Sequence, residues 1–369
     1  DSAGTEFFVA FQPNTAGGVS NLSLFITGQQ DTQGVIEIPG LNFSQAFTVQ
    51  AIKVTTVNLL SSAQSLGSNS IARLGVRVTA QNEVTVYGLN QRQYTTDAFL
   101  SLPADILGLE YLAMSYPSTY SSYPSQVAVV GVYDNTQVTI TPSVAAVGRP
   151  AGVPFTITLN RLNTFQLTGS GTADLTGSII TTSAPVAVMS GVDCVNVPVG
   201  VGWCDHIVEM MPPVATWGKS FLTVPLATRL KGDVFRILAS QDGTTVHING
   251  VLVATLNRGK FFEKVLTARS QIEASAPVLV AQYSPGQGFD NVISDPFMML
   301  IPPTEQFLNH YTFSTPASGF TKNFVNVVTP TSAISSLSLD GSPINTALFS
   351  SIGSSGFSGA QVPVSLGSH

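Results

Sequence analysis

Three aspartates stand in matching sequence settings, and carboxylates are among the side chains that bind calcium. Asp97, Asp205 and Asp295 each precede an apolar run that ends in proline. If the chain repeats itself in space, these carboxylates could meet and hold Ca²⁺. Alternatively, each aspartate accepts hydrogen bonds from the backbone amides of its own turn. We favour this structural role, because equivalent positions in a ring of copies need not converge, and we predict no metal site.

The two cysteines, Cys194 and Cys204, are separated by nine residues. The rest of the composition is typical of extracellular proteins, so we predict that they form a disulfide. Closing so short a loop contributes about 2–3 kcal/mol in the chain-entropy model. Two cysteines without a second pair cannot complete a structural zinc site.

The candidate binding loop surrounds the second cysteine and consists of Trp203, Asp205 and His206, preceded by the glycine-rich residues 200–202. An exposed aromatic side chain on a disulfide-braced loop is well placed to bind a partner. In the alternative interpretation, the indole folds back over the disulfide as part of a local core. The other tryptophan, Trp217, is predicted to lie in the core.

Common catalytic and phosphate-binding motifs are missing from the sequence: there is no G-x-S-x-G, H-E-x-x-H, G-x-x-x-x-G-K or EF-hand pattern. The histidines at positions 206, 247, 310 and 369 are not paired at metal-ligand spacing. We therefore predict a protein that is not an enzyme and has no cofactor. An extracellular hydrolase is a remote alternative that needs a convergent acid–base pair, for which Asp205 and Glu209 are the candidates.

A recurring strand pattern must position these residues. Residues 83–88, 185–191 and 277–283 alternate aliphatic or β-branched residues with small ones, as a strand between packed layers does. Each is followed by a loop, an acidic residue, an apolar run and proline. A fixed succession at long spacing indicates internal repeats.

The pattern predicts an all-β fold of four pseudo-symmetric repeats, each about 90–110 residues long and built from β-hairpins. The predicted repeats are 1–90, 91–191, 192–283 and 284–369, packed into one domain over 1–369. The hairpin turns Asp134-Asn135 and Asp242-Gly243 tolerate positive φ. Six to seven strands per repeat favour sandwich-like units, whereas a propeller-like blade has about four.

The fourth repeat lacks its final strand, because the sequence stops at His369 where the organising pattern should begin. We expect the native chain to continue with a strand of the Pro-Val-x-Val type. Without that strand, one sheet has an unpaired edge that a neighbouring chain could fill by strand addition.

The composition narrows the class of protein. Of the 369 residues, 44% are apolar and 10% are charged, and the mean hydropathy is +0.29. No apolar run reaches about 18 residues, so no membrane span is predicted. A net charge of −6 without a basic cluster argues against nucleic-acid binding. The first residues contain neither Met nor an apolar signal core, which indicates a secreted chain after signal removal.

Residues 203–213 (WCDHIVEMMPP), 295–303 (DPFMMLIPP) and 337–341 (LSLDG) resemble the IgG Fc-binding protein N-terminal domain family. The resemblance covers essentially the whole chain. Members are similar modules in a secreted, mucus-associated protein and in many bacterial surface or secreted proteins, and we expect a bacterial-type member. The resemblance implies an extracellular, non-enzymatic binding or structural module.

Taken together, these features predict a secreted or surface-displayed module for adhesion or assembly. Its partner would be a protein or glycoprotein surface, and the low-charge exterior also favours self-assembly. A lectin-like, glycan-binding domain that uses Trp203 and the aspartates is the alternative. The sequence does not identify the partner.

Overall fold

The computed structural model describes residues 2–14, 19–65, 67–315 and 320–369, so Asp1 of the expected mature terminus lies outside the described residues. The predicted all-β class is confirmed, because strands dominate and the described residues contain one α-helix, α1 (Gln287–Asp290). No helix in the described ranges has the length and apolar character needed to cross a membrane.

The first unit is built around one long strand, β7. The N-terminal half of β7 pairs with β1 and β3, and its C-terminal half pairs with β2 and β8. Strand β4 pairs with the outer side of β3, and β5 pairs with the outer side of β2. The strands are β1 (Gly4–Val9), β2 (Asn21–Thr27), β3 (Thr32–Ile38), β4 (Phe43–Val49), β5 (Thr55–Leu59), β6 (Ser70–Ala72), β7 (Val76–Gln91) and β8 (Thr96–Leu100).

The second unit has the same pairing, but its long central strand is split into β14 and β15. Strand β14 pairs with β9 and β11, and β15 pairs with β10 and β16. Strand β6, from the connection before β7, pairs with β13 and joins the two units. The strands are β9 (Glu110–Leu112), β10 (Ser125–Gly131), β11 (Thr136–Thr141), β12 (Phe155–Leu159), β13 (Thr164–Thr168), β14 (Ile179–Thr182), β15 (Val186–Val195) and β16 (Asp205–Met210).

The third unit again has an unbroken central strand, β22, which pairs with β17 and β19 and then with β18 and β23. This repetition explains why the same succession of residue types recurs along the chain. The strands are β17 (Gly218–Thr223), β18 (Asp233–Ala239), β19 (Thr244–Ile248), β20 (Val251–Leu256), β21 (Phe261–Leu266), β22 (Ser270–Ser284) and β23 (Phe297–Ile301).

The C-terminal segment forms only part of this pattern. Strand β28 pairs with β24 and β27, and β25 pairs with β26. The complete pairing pattern therefore occurs three times in the described residues, and the predicted count of four repeats is not confirmed. The strands are β24 (Asn323–Pro330), β25 (Ser338–Leu339), β26 (Ser342–Pro343), β27 (Ser350–Ser351) and β28 (Phe357–Val364).

A glycine–proline contact recurs in each of the three units. The first strand begins with a glycine that lies against the proline after the last strand. A Cβ atom added at Gly108 would lie 2.5 Å from Cβ of Pro213, closer than carbon atoms can approach. Side chains larger than hydrogen are therefore excluded. The three pairs are Gly4 with Pro103, Gly108 with Pro213, and Gly218 with Pro303.

The buried core is shared between neighbouring units. One cluster joins Phe7 and Val86 of the first unit to Val130 and Met189 of the second. Another joins the second unit to Leu238 and other residues of the third. Because apolar area is buried across the unit boundaries, neighbouring units stabilise each other.

Candidate functional site

The last strands of the three units, β8, β16 and β23, converge although they do not pair as a sheet. Asp97 at the start of β8 joins them. Its Oδ2 accepts hydrogen bonds from the amides of Val208 in β16 (2.9 Å) and Met298 in β23 (3.4 Å). Its Oδ1 accepts from the amide of Ala98 at 2.8 Å. One buried carboxyl group thus bonds to all three strands.

Asp205, at the start of β16, forms a hydrogen bond with β8 in return. Its Oδ1 accepts hydrogen bonds from the amides of Thr96 and His206, each at 2.6 Å. Glu209, further along β16, accepts from the amides of Leu100 and Leu300. We call the three buried carboxyl groups of Asp97, Asp205 and Glu209 the acid cluster.

The contacts of the acid cluster bear on the two roles considered for the repeated aspartates. Asp97 and Asp205 do bond to backbone amides, but those amides belong to neighbouring units as well as to their own turns. The charges of Asp295 and Asp97 both act on Asp205, so the three equivalent positions lie near one another in the fold. No group of three potential protein ligands with metal-binding geometry is found in the described ranges.

Burial raises the pKa values of all three acids. Burial, followed by the charges of Asp295 and Asp97, raises the pKa of Asp205 to about 9. Burial also raises the pKa values of Asp97 and Glu209 well above their usual range. With a pKa of about 9, Asp205 is protonated at neutral pH, and its Oδ1 still accepts the two amide hydrogens. Asp295, the third repeated aspartate, lies at the surface.

His206 is fully buried and has a structural arrangement of partners. Its Nδ1 lies 2.9 Å from the carbonyl oxygen of Val192, and its Nε2 lies 3.4 Å from Nδ2 of Asn90. Burial lowers the pKa of His206 to about 4, so the ring is neutral at pH 7. Nδ1–H then donates to Val192, and Nε2 accepts from Asn90 of the first unit.

The predicted disulfide is confirmed. Cys194 and Cys204 are joined, with their Cα atoms 5.3 Å apart. The loop that they close lies against the corresponding loop of the third unit. The amide of Gly286 donates to the carbonyl oxygen of Val197 at 2.8 Å, and a Cβ atom at Gly286 would lie 3.0 Å from the carbonyl oxygen of Gly202. The hydrogen bond joins the two loops, and the close approach leaves little room for a side chain at Gly286.

Trp203 is the member of the candidate binding loop that reaches the surface. Its side chain is 70% exposed, which does not fit the alternative in which the indole covers the disulfide. Its φ of +73° lies in the left-handed region that bulky residues rarely adopt. Such strain, about 1–3 kcal/mol, is concentrated at functional sites. Asp205 and His206, by contrast, are buried and support the loop from beneath.

Sequence reasoning missed two further exposed residues in the loops that correspond to the loop of Trp203. Tyr94 precedes β8 and is 72% exposed, and Ile293 precedes β23 and is 90% exposed. Both occupy the loop that corresponds to the loop of Trp203, and all three residues line one open groove. We call Tyr94, Trp203 and Ile293 the apical patch. The available signal was their position, two or three residues before each repeated aspartate.

Comparison with known proteins identifies the family. Residues 97–369 match the family model described as IgGFc binding protein. The chain belongs to this family. It is 30% identical over 331 residues to the human IgGFc-binding protein, a match that covers 87% of this chain and 6% of the human protein. No solved structure matches the chain.

The family membership confirms the resemblance read from the sequence. The matches do not support the expected bacterial type. The family and the human relative are named for binding and not for catalysis, which fits a protein-binding module. The disulfide is typical of extracellular proteins.

Proposed function

We propose that this chain is a non-enzymatic adhesion module of an extracellular protein and that it binds a protein partner through the apical patch. The exposure of Trp203 in a strained backbone conformation is the observation that carries the proposal. Tryptophan and tyrosine are enriched among the residues that dominate protein-binding energy.

The support beneath the patch favours tight binding. The loop of Trp203 is closed by a disulfide and packed against Gly286, and the acid cluster fixes the strands that follow the loops. Loops that are already ordered lose less conformational entropy when they bind. A rigid scaffold that carries binding loops at one end is a common arrangement for recognition.

The alternatives receive less support from the structure. A lectin-like site would need Asp97 and Asp205 to face a sugar, but both are buried and bonded to the backbone. The acid–base pair named for a hydrolase, Asp205 with Glu209, is buried in the same way.

The name of the human relative gives the first partner to test, the Fc part of IgG. We would measure binding of the full chain to immobilised Fc, with Fab fragments as the control surface. Trp203→Ala should weaken Fc binding by about thirtyfold or more, since losing a central aromatic contact typically removes 2 kcal/mol or more.

The matched control is Tyr133→Ala, which removes an exposed aromatic side chain outside the patch. It should leave binding unchanged. Equal binding by the wild type and Trp203→Ala would refute a role for the patch. If the wild type does not bind Fc, then Fc is not the partner, and the same pair of variants should be tested on mucosal glycoproteins.

A further inference from the structure

The apical loop of the third unit, residues 285–296, carries Ile293, the most exposed member of the apical patch. The corresponding loop of the second unit is closed by the disulfide, whereas this loop is held by the buried side chain of Asp290. Its Oδ2 accepts a hydrogen bond from the amide of Leu230 at 2.8 Å, and its Oδ1 accepts from the amide of Val292 at 3.4 Å. Asp290 therefore fixes the backbone immediately before Ile293.

Arg229 forms a buried ion pair with Asp290. Its Nη2 lies 2.7 Å from Oδ1 of Asp290, and the two side chains are 2% and 0% exposed. The same Nη2 donates to the carbonyl oxygen of Gly286 at 3.4 Å. The amide of Gly286 in turn donates to the carbonyl oxygen of Val197 in the disulfide loop at 2.8 Å. Arg229 thus contacts one apical loop directly and reaches the next through a single residue.

The segment that carries Arg229 lies between β17 and β18 and has a strained backbone. Thr228 has a φ of +71°, in the left-handed region that β-branched residues rarely adopt. On the other side of Arg229, Lys231 donates from Nζ to the carbonyl oxygen of Phe289 at 2.9 Å. Three consecutive residues, 229–231, therefore each bond to the apical loop of the third unit.

The ion pair is poorly designed as a source of stability. Within the described ranges, Nε and Nη1 of Arg229 have no protein acceptor. Burial lowers the pKa of Arg229, although the charge of Asp290 acts in the opposite direction, so desolvation outweighs the attraction. Replacing a buried ion pair with uncharged side chains of similar size is often neutral or stabilising. A buried pair that adds little stability points to a role in positioning.

We infer that Arg229 and Asp290 are positioning residues of the apical patch, and that their ion pair holds the loops of Ile293 and Trp203 in the arrangement that binds the partner. This inference rests on the proposed binding function of the patch. Both side chains are buried, so they act through the loops and not by touching the partner. Removing both charges should therefore lower affinity without lowering stability.

The test variant is Arg229→Met/Asp290→Asn, which removes both charges and keeps an Oδ1 acceptor for the amide of Leu230. Its urea midpoint should equal or exceed that of the wild type. Asp290→Asn alone should have a lower midpoint, because it leaves the buried guanidinium uncompensated. We expect the double variant to bind immobilised Fc about tenfold more weakly. Hydrogen exchange of the Gly286 amide should become at least about tenfold faster, because the loop opens more often.

The matched control is Arg258→Met/Glu110→Gln. This change removes another ion pair between an arginine and a carboxylate, one that joins the third unit to the second and is largely exposed. Glu110 lies near the glycine–proline contact of Gly108 with Pro213, at the opposite end of β16 from the apical loops. The control should change neither Fc binding nor exchange of the Gly286 amide.

Three results would overturn the inference. Unchanged exchange at Gly286 in the double variant would show that the pair does not hold the loops. A midpoint below that of Asp290→Asn, or failure to fold, would show that the pair serves the stability of the fold. Faster exchange with wild-type Fc affinity would show that binding does not need the loops to be held. If the wild type does not bind Fc, then Fc is not the partner, and exchange at Gly286 together with the urea midpoints decides the role of the pair.

Discussion

Replacing Asp205 with Asn should reduce the pH dependence of stability above neutrality. The pKa of Asp205 is about 9 in the folded chain against an ordinary value of 3.8. Between these values the folded state keeps a proton that the unfolded state has released. Stability contributed by the protonated carboxyl is therefore complete below pH 3.8, falls as pH rises, and reaches its minimum above pH 9.

The size of the change in stability follows from the titration of one proton. Each pH unit within that window changes the free energy of unfolding by about 1.4 kcal/mol per proton. From pH 7.0 to 8.5, Asp205 alone should lower stability by about 2 kcal/mol. His206 does not contribute there, because burial lowers its pKa to about 4 and its effect ends near pH 6.5.

The variant should fold, because Asn resembles a protonated Asp in shape. Its Oδ1 can still accept from the amides of Thr96 and His206. We therefore expect Asp205→Asn to remove about 2 kcal/mol of pH-dependent loss between pH 7.0 and 8.5 while keeping the wild-type circular dichroism spectrum.

Two assays test this expectation. Urea unfolding at a series of pH values gives the slope, and potentiometry in unbuffered urea at pH 7.5 counts the protons released on unfolding. The variant should release one proton fewer than the wild type. Asp105→Asn, the same change at an exposed position, should behave like the wild type. Parallel slopes and equal proton release for wild type and Asp205→Asn would refute the assignment of a buried, neutral carboxyl.

Two further predictions concern stability. Arg236→Ala should lower the free energy of unfolding by about 1.5–3 kcal/mol, because it removes the charged hydrogen bonds of a buried guanidinium to the half-buried Asp174 and the exposed Glu263; urea unfolding measures it. The guanidinium lies 2.7 Å from Asp174 and 2.8 Å from Glu263, so an unchanged midpoint would contradict the role of this contact. Replacing Cys194 and Cys204 with serine should lower stability by about 2–3 kcal/mol in the chain-entropy model. The thermal midpoint with and without reductant checks this, since only the wild type should respond to reduction.

The repeated strands were predictable because their cause is local. Alternation with a period of two assigns residues to the faces of a strand, and the glycine and proline positions recur with it. The contact of Gly108 with Pro213 then explains the motif, although the sequence did not show that these residues touch. Residues 323–329 have the same alternation, and within the described residues their strand pairs with β28.

The site was only partly predictable because it depends on how units pack. The disulfide follows from a short spacing, whereas the glycine-rich loop left open whether Trp203 is exposed or covers the disulfide. The acid cluster does not follow from the sequence, because it forms between units. Asp97 accepts a hydrogen bond from the amide of Val208, which is 111 residues away in sequence. Tyr94 becomes recognisable as a partner of Trp203 only after the last strands of the units are known to converge.

The convergence of the last strands of the three units explains why acidic side chains are buried between them. Strands β8, β16 and β23 meet without pairing, so the amides that face the junction have no ladder partners. A buried amide without an acceptor costs about 1–3 kcal/mol, and a protonated carboxyl supplies the acceptor without introducing charge. The same acids hold the strands that follow the apical loops. Ionisation of Asp205 at high pH should therefore disturb the apical patch, whereas Trp203→Ala removes a contact and leaves the support of the patch intact.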